Sequence, residues 1–112
     1  MQNIDVHELK QLMDESANPV LLDVREAWEY SICHIQGSKL VPMREIHNAI
    51  DELDPSQPTV VICHHGIRSR MVGHFLENQG FSNVINLSGG VAAWKLIIGT
   101  TVRASPGHSA SV

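Results

Sequence analysis

A cysteine that directly follows an apolar run is the most reactive feature of this sequence. The run is Thr59-Val60-Val61-Ile62, and the residues after it are Cys63-His64-His65-Gly66-Ile67-Arg68-Ser69. The first part predicts a buried strand, and the second predicts a tight glycine-containing loop that leads into a helix. Such a loop points backbone N–H groups into one small concavity, and the helix N-terminus adds partial positive charge. Both effects favour a thiolate, so the sequence predicts a reactive sulfur in an anion-binding loop.

Length, charge and cysteine content limit the functions to consider. The 112 residues are 43% hydrophobic and 18% charged, with a formal net charge of −4. This composition predicts one globular domain, and the acidic balance argues against nucleic acid or an anionic membrane as the main partner. No apolar run approaches the roughly 20 residues of a membrane span, and the N-terminus lacks a signal sequence. We therefore expect a soluble, cytoplasmic protein whose two cysteines are both reduced.

The elements that must position the loop alternate between strands and helices. Short apolar runs predict strands at 20–22, 39–41, 59–62 and 84–87. Helical patterns follow the capping box of Asp5 and Glu8, and recur at 26–31, 43–53, 69–79 and around Trp94. This alternation predicts an α/β fold with a parallel sheet covered on both faces. Ligands bind beyond the carboxyl ends of such strands, which is where Asp23, Cys63 and Ser88 lie.

The end of the chain differs in composition from the rest. From Gly99 onward it is rich in Gly, Thr, Ser and Pro, with few side chains to bury. We therefore expect a single domain over residues 1–98 and a flexible tail over residues 99–112.

Four motifs, in this order along the chain, resemble those of the single-domain rhodanese-like sulfurtransferases. They are Leu21-Leu22-Asp23-Val24-Arg25-Glu26, then His34-Ile35-Gln36-Gly37-Ser38 with Pro42, then the 63–69 loop, then Gly80-Phe81 leading through Val84 and Leu87 to Gly89-Gly90-Val91 and Trp94. The resemblance covers most of the chain. It implies a rhodanese-like three-layer α/β/α fold with a five-stranded parallel sheet. It also implies a thiosulfate sulfurtransferase that requires no metal or organic cofactor.

The resemblance assigns roles to the loop residues. Cys63 matches the nucleophile that takes the outer sulfur of thiosulfate, releases sulfite and becomes a persulfide. Arg68 matches a loop arginine whose fixed positive charge suits a sulfonate. The matching substrate-binding positions, whose backbone amides would hold the sulfur, are His64, His65, Gly66, Ile67 and Ser69. The sulfur would then pass to a thiophilic acceptor, either cyanide or a thiol, which can belong to a protein.

Two supporting residues match the motif at the end of the first predicted strand. We interpret Asp23 as a buried hydrogen-bond anchor for the neighbouring loops and Arg25 as an electrostatic residue. Neither needs to touch the substrate. Trp28 and Trp94 are expected to be packing residues.

Cys33 departs from the family pattern, which usually has glycine at this position. A side chain there is expected to alter the local backbone. One interpretation is a relay thiol that accepts sulfur from Cys63, and the other is a partly buried small residue. We favour the second interpretation.

Three other functions are alternatives to sulfur transfer. Cysteine-dependent phosphatases place five residues between cysteine and arginine, whereas four separate Cys63 from Arg68. The Cys33-His34 and Cys63-His64-His65 clusters lack the spacing of a zinc site, so we expect no metal. A non-enzymatic module that senses sulfide or oxidants, or carries sulfur, remains the alternative to an enzyme.

Overall fold

The computed structural model describes residues 1–15 and 18–103. The strands are β1 (Gln2–Ile4), β2 (Val20–Asp23), β3 (Lys39–Leu40), β4 (Thr59–Ile62) and β5 (Val84–Leu87). The α-helices are α1 (Val6–Asp14), α2 (Ala27–Ile32), α3 (Ile46–Ala49), α4 (Ile67–Asn78) and α5 (Gly90–Ala93). Two 3₁₀ turns flank α3 at Met43–Glu45 and Ile50–Glu52, and a π-helical turn, Trp94–Ile98, continues α5.

The five strands form one parallel sheet in the order β1-β5-β4-β2-β3. This confirms the predicted α/β fold with five parallel strands. Asp23 is in register with Ile62 in the centre of the sheet. The carboxyl ends of β2, β4 and β5 therefore lie side by side, as expected for a binding edge. The first strand was not predicted from the pattern, because β1 has three residues and buries only Ile4.

Helices cover both faces of the sheet and enclose two hydrophobic clusters. Alternate residues of β4 supply them, since Val60 and Ile62 belong to the first cluster and Val61 to the second. The first cluster also contains Leu9 of α1 and Trp94. The second contains residues of α3 and α4: Ile46, Val72 and Leu76. This is the three-layer α/β/α arrangement, and Cys63 is a member of the second cluster.

The helices differ from the predictions in two places. The predicted helix over 43–53 is only one helical turn at α3 between two 3₁₀ turns. The helical spacing over 69–79 would place Met71 on the buried face of α4 with Val72 and Leu76, but Met71 is 59% exposed. The predicted capping box is confirmed, because Asp5 and Glu8 form one at the start of α1.

The first residues of the predicted tail make defined contacts. Val102 pairs with His34 in an antiparallel bridge, and the indole Nε1 of Trp94 donates to the Thr100 carbonyl oxygen at 2.6 Å. Residues 104–112, the rest of the predicted tail, lie outside the described residues. The longest helix in the described part of the chain is α4, with 12 residues, and none there has both the length and the apolar character to cross a membrane.

Candidate active site

The Cys63 sulfur lies at the end of β4, inside the loop that leads into α4. Its side chain is 1% exposed. The Gly66 backbone N–H donates to Sγ at 3.0 Å, and the Ser69 hydroxyl oxygen lies 3.3 Å from Sγ. Gly66 adopts φ +103°, a conformation that favours glycine and lets its N–H turn back toward the sulfur. The predicted loop with a sulfur at its centre is therefore present.

Opposing effects act on the pKa of the Cys63 thiol. Burial raises it, because the charged form loses hydration. Hydrogen bonding with the Ser69 side chain and with the backbone of Ser69, Gly66 and His65 lowers it. Together the hydrogen bonds outweigh burial, so the pKa lies below the ordinary value of 9.0. The loop thus favours the nucleophilic thiolate.

The start of α5 holds this loop from the opposite side. The backbone N–H of Val91 donates to the Cys63 carbonyl oxygen at 2.9 Å, and that of Ala92 donates to the His64 carbonyl oxygen at 3.0 Å. Gly90 has φ +59°, and a Cβ there would lie 2.2 Å from the Cys63 carbonyl oxygen. Only glycine allows this approach, so Gly90 fixes the position of the loop backbone.

A buried polar chain, not foreseen from the sequence, runs from the thiol to the sheet edge. The Ser69 hydroxyl donates to Oδ1 of Asn86 at 2.5 Å, and Nδ2 of Asn86 donates to Oδ1 of Asn3 at 3.0 Å. Asn86 is a buried amide in the middle of β5. It therefore holds the hydroxyl that lies beside Sγ. An asparagine inside the apolar run of a predicted strand was the signal that could have revealed it, because a buried amide requires partners.

Asp23 and Arg25 form a buried ion pair at the end of β2. Arg25 Nη2 lies 2.9 Å from Oδ2 of Asp23, and Nε donates to Oδ1 at 3.0 Å. Arg25 Nη2 also donates to the Cys33 carbonyl oxygen at 2.7 Å, which ties α2 to the sheet. Asp23 acts through Arg25 on the neighbouring segment, as an anchor would.

Arg68 reaches across to α2, where it meets a carboxylate that sequence reasoning missed. Its Nη1 and Nη2 donate to Oε1 and Oε2 of Glu29 at 2.7 and 2.9 Å. The Arg68 side chain is 33% exposed and that of Glu29 is 12% exposed. Hydrogen bonding to Arg68, opposed by burial, brings the pKa of Glu29 to about 2. The loop arginine is thus engaged by an ionised carboxylate.

The remaining predicted loop residues face outward. His64, His65 and Ile67 are exposed, and the two imidazole rings meet edge to face with centroids 4.2 Å apart. Partial burial, followed by the charges of His65 and Arg25, lowers the pKa of His64 below 6.5. His64 is therefore mainly neutral at pH 7 and provides no fixed cation for a substrate.

A cavity of about 350 Å³ adjoins the loop. It lies between α2 and α5 and is lined by Arg25, Trp28, Glu29, Ile32, Cys33, His64, Val91, Ala92 and Lys95. Trp94 is buried as expected, but the prediction for Trp28 was wrong, because its ring is 67% exposed and forms part of this wall. Cys33 has an extended backbone, with φ −165°, so its side chain imposes no strain there.

Both thiols are free in the described structure. Cys33 is half-buried and packs against the first hydrophobic cluster, whereas Cys63 belongs to the second. Within residues 1–15 and 18–103, no three His, Cys, Asp or Glu side chains come together as metal ligands would. The described residues of the site therefore offer a thiol, hydrogen-bond donors and paired charges as their chemistry.

Comparison with known proteins finds a family match over most of the chain. The sequence model of the rhodanese-like domain matches residues 5–97. A thiosulfate sulfurtransferase GlpE of Pseudomonas fluorescens is 34% identical over 94 residues, which are 84% of this chain and 84% of that protein. A putative sulfur carrier protein, YrkF of Bacillus subtilis, is 36% identical over 81% of this chain. The match spans 49% of that longer protein.

The fold has close counterparts among solved structures. The crystal structure of a rhodanese-like domain protein from Staphylococcus aureus is 32% identical, with a TM-score of 0.80. The alignment covers 84% of this chain and 91% of the S. aureus chain.

Proposed function

The chain belongs to the rhodanese-like domain family, and from this we propose that it is a sulfurtransferase that works through a persulfide on Cys63. The observation that carries the proposal is the position of Sγ, 3.0 Å from the Gly66 N–H inside a loop that lowers the thiol pKa. A relative named thiosulfate sulfurtransferase supports the reaction class. The donor is thiosulfate or a similar sulfane-sulfur compound.

The proposed first half-reaction charges Cys63. Its thiolate attacks the outer sulfur of the donor, the S–S bond of the donor breaks, and the electron pair leaves with sulfite. The product is a Cys63 persulfide whose terminal sulfur is anionic. Loop N–H groups that stabilise the thiolate, such as that of Gly66, are suited to stabilise this second anion as well.

The proposed second half-reaction discharges the enzyme. An acceptor, cyanide or a thiolate, attacks the terminal sulfur of the persulfide, and Cys63 leaves as a thiolate. Both steps require a good leaving thiolate, which the lowered pKa of Cys63 provides. No cofactor takes part in this scheme. The physiological acceptor is proposed to be a small thiol or a protein thiol.

A second candidate function is that of a sulfur carrier or sensor without turnover of its own. The relative named a putative sulfur carrier protein favours it, although this chain spans only about half of that protein. Both candidates form the same Cys63 persulfide. They differ in the second step, since the persulfide of a carrier would not transfer its sulfur to cyanide or small thiols. A cytoplasmic location stays a prediction for either candidate.

The proposal is tested by exchanging each thiol separately. Cys63→Ser should abolish thiosulfate-dependent production of thiocyanate from cyanide, because serine is a far weaker nucleophile. Cys33→Ser is the matched control and should keep the activity. Circular dichroism establishes that both variants are folded. A folded Cys63→Ser variant with substantial activity would contradict the mechanism, and a wild-type persulfide inert to cyanide and thiols would favour the carrier.

A further inference from the structure

Glu29 occupies the terminal edge of the Arg68 guanidinium group. Both terminal nitrogens donate to the two oxygens of Glu29, and Oε1 of Glu29 also accepts the Glu26 backbone N–H at 2.9 Å. This bidentate pair joins α4 to α2 beside the cysteine loop. A doubly charged anion that approaches Sγ therefore meets a neutralised cation and a carboxylate.

Among the other basic residues near the loop, Arg25 is engaged, His64 is mainly neutral and Lys95 is unpaired within the described part of the chain. Arg25 is buried and paired with Asp23. His64 is mainly neutral at pH 7, because burial lowers its pKa. Lys95 lines the cavity, and it forms no ion pair with any residue in the described ranges 1–15 and 18–103. The charges around the site thus suit a ligand with a single negative charge better than a dianion.

The cavity wall favours a ligand that has an apolar part. Trp28, Ile32, Val91 and Ala92 supply much of its wall, and Glu29 and Lys95 lie on the same wall. A volume of about 350 Å³ accommodates a small aromatic or alkyl group, in the range of ordinary ligand pockets. His64 belongs both to this wall and to the loop that follows Cys63. A ligand body held in the cavity would therefore lie next to the reactive loop.

We propose that Glu29 is a specificity-determining residue, which directs the site away from small dianions such as thiosulfate and toward singly charged sulfane-sulfur donors with an apolar body. The apolar body packs against Trp28, and Lys95 provides the compensating charge. This inference rests on the proposed function, since it names the donor class for the same Cys63 site. Organic persulfides and aryl thiosulfonates belong to this class.

The reaction with such a donor is balanced without an added oxidant or reductant. With benzenethiosulfonate, the Cys63 thiolate attacks the terminal sulfur and the S–S bond to the sulfonyl sulfur breaks. Benzenesulfinate leaves with the electron pair, and Cys63 becomes an anionic persulfide. Two negative charges enter, on the thiolate and the donor, and two leave, on the sulfinate and the persulfide.

The test compares two donors with cyanide as the common acceptor. The measured quantity is the ratio of kcat/KM for benzenethiosulfonate to kcat/KM for thiosulfate. The wild-type ratio should exceed one. Glu29→Gln keeps the size of the side chain but frees Arg68 to bind a dianion. It should lower the ratio about fivefold, because this is the typical contribution of one partly exposed ion pair. Trp28→Ala removes an exposed ring of the cavity wall and should lower the ratio in the same way.

A matched control and the opposing outcomes make the test decisive. Asp14→Asn also removes one carboxylate, from an exposed pair with Lys10 on α1, and should leave the ratio unchanged. If Glu29 only holds Arg68 in place for a sulfonate, Glu29→Gln will raise the ratio, which would overturn the inference. An unchanged ratio in both Glu29→Gln and Trp28→Ala would overturn it as well. Failure of both donors to transfer sulfur would instead refute the proposed function itself.

Discussion

Removal of the Ser69 hydroxyl tests how the loop activates Cys63. The hydroxyl oxygen lies 3.3 Å from Sγ, and the residue is buried. Ser69→Ala deletes this contact but keeps the Gly66 N–H at 3.0 Å. Burial, which raises the thiol pKa, is then opposed by fewer hydrogen bonds. We expect the pKa of Cys63 to rise toward or above its ordinary value of 9.0.

The size of the expected pKa increase follows from the free energy that one hydrogen bond to an anion contributes. Such a bond contributes about 1.5–3 kcal/mol, and each pKa unit corresponds to about 1.4 kcal/mol. The contact is long, and Asn86 competes for the same hydroxyl proton at 2.5 Å. Both facts place the contribution of this hydrogen bond at the lower end of that energy range, so we expect the pKa of Cys63 to increase by about one unit. Near pH 7 the thiolate fraction, and with it the alkylation rate, would then fall about tenfold.

The assay is the pH dependence of alkylation by iodoacetamide in a Cys33→Ser background, so that only Cys63 reacts. The rate should rise with pH along the thiolate fraction, with a midpoint below 9.0 before the Ser69 change and about one unit higher after it. Ser38→Ala is the matched control, because that hydroxyl donates to the Ile35 carbonyl oxygen away from the loop. A folded Ser69→Ala variant with an unchanged midpoint would refute the assigned role of the hydroxyl.

Three further predictions concern the loop support, the ion pair and the second thiol. Gly90→Ala should unfold the chain or lower the free energy of unfolding by about 3 kcal/mol, because the new Cβ would meet backbone oxygens. Gly80→Ala is the control, since Gly80 has φ +92° but open space around it, and it should lower the free energy of unfolding by only about 1 kcal/mol. Equal decreases in melting temperature for the two variants would contradict this prediction. A double-mutant cycle of Glu29→Gln and Arg68→Ala should give a coupling of about 1 kcal/mol at pH 7. The pKa of Glu29 is lowered from 4.5 to about 2, so the coupling should weaken steadily as the pH falls from 4.5 to 2. A coupling that is undiminished at pH 2 would disprove the pairing. Cys33→Gly should transfer sulfur from thiosulfate to cyanide at nearly the wild-type rate, and a large loss would point to a relay.

The sequence predicted the loop around Cys63 because its determinants are contiguous. A buried strand, a cysteine, a glycine with positive φ and a helix start occur within eleven residues, 59–69. The edge that carries the site was also predictable, since parallel strands align their carboxyl ends. Those inferences needed no knowledge of distant contacts.

The residues that tune the site could not be predicted in the same way. Glu29 meets Arg68 across 39 positions of sequence, and α2 gives no periodic signal because it has six residues and buries none of them. For the same reason Trp28 was wrongly expected to be a packing residue. Asn86 reaches Ser69 only because β5 lies next to β4 in the sheet, and the sequence does not give this strand order. The polarity of Asn86 within an apolar run nevertheless marked it as unusual.

Mass spectrometry shows directly which cysteine carries the sulfur, and we propose that Cys63 alone does. The purified protein is incubated with thiosulfate, alkylated without reductant, digested and mapped. We expect the Cys63 peptide to gain the mass of one sulfur atom and Cys33 to remain a free thiol. An unmodified Cys63 peptide, or a Cys33–Cys63 disulfide in the treated protein, would contradict it.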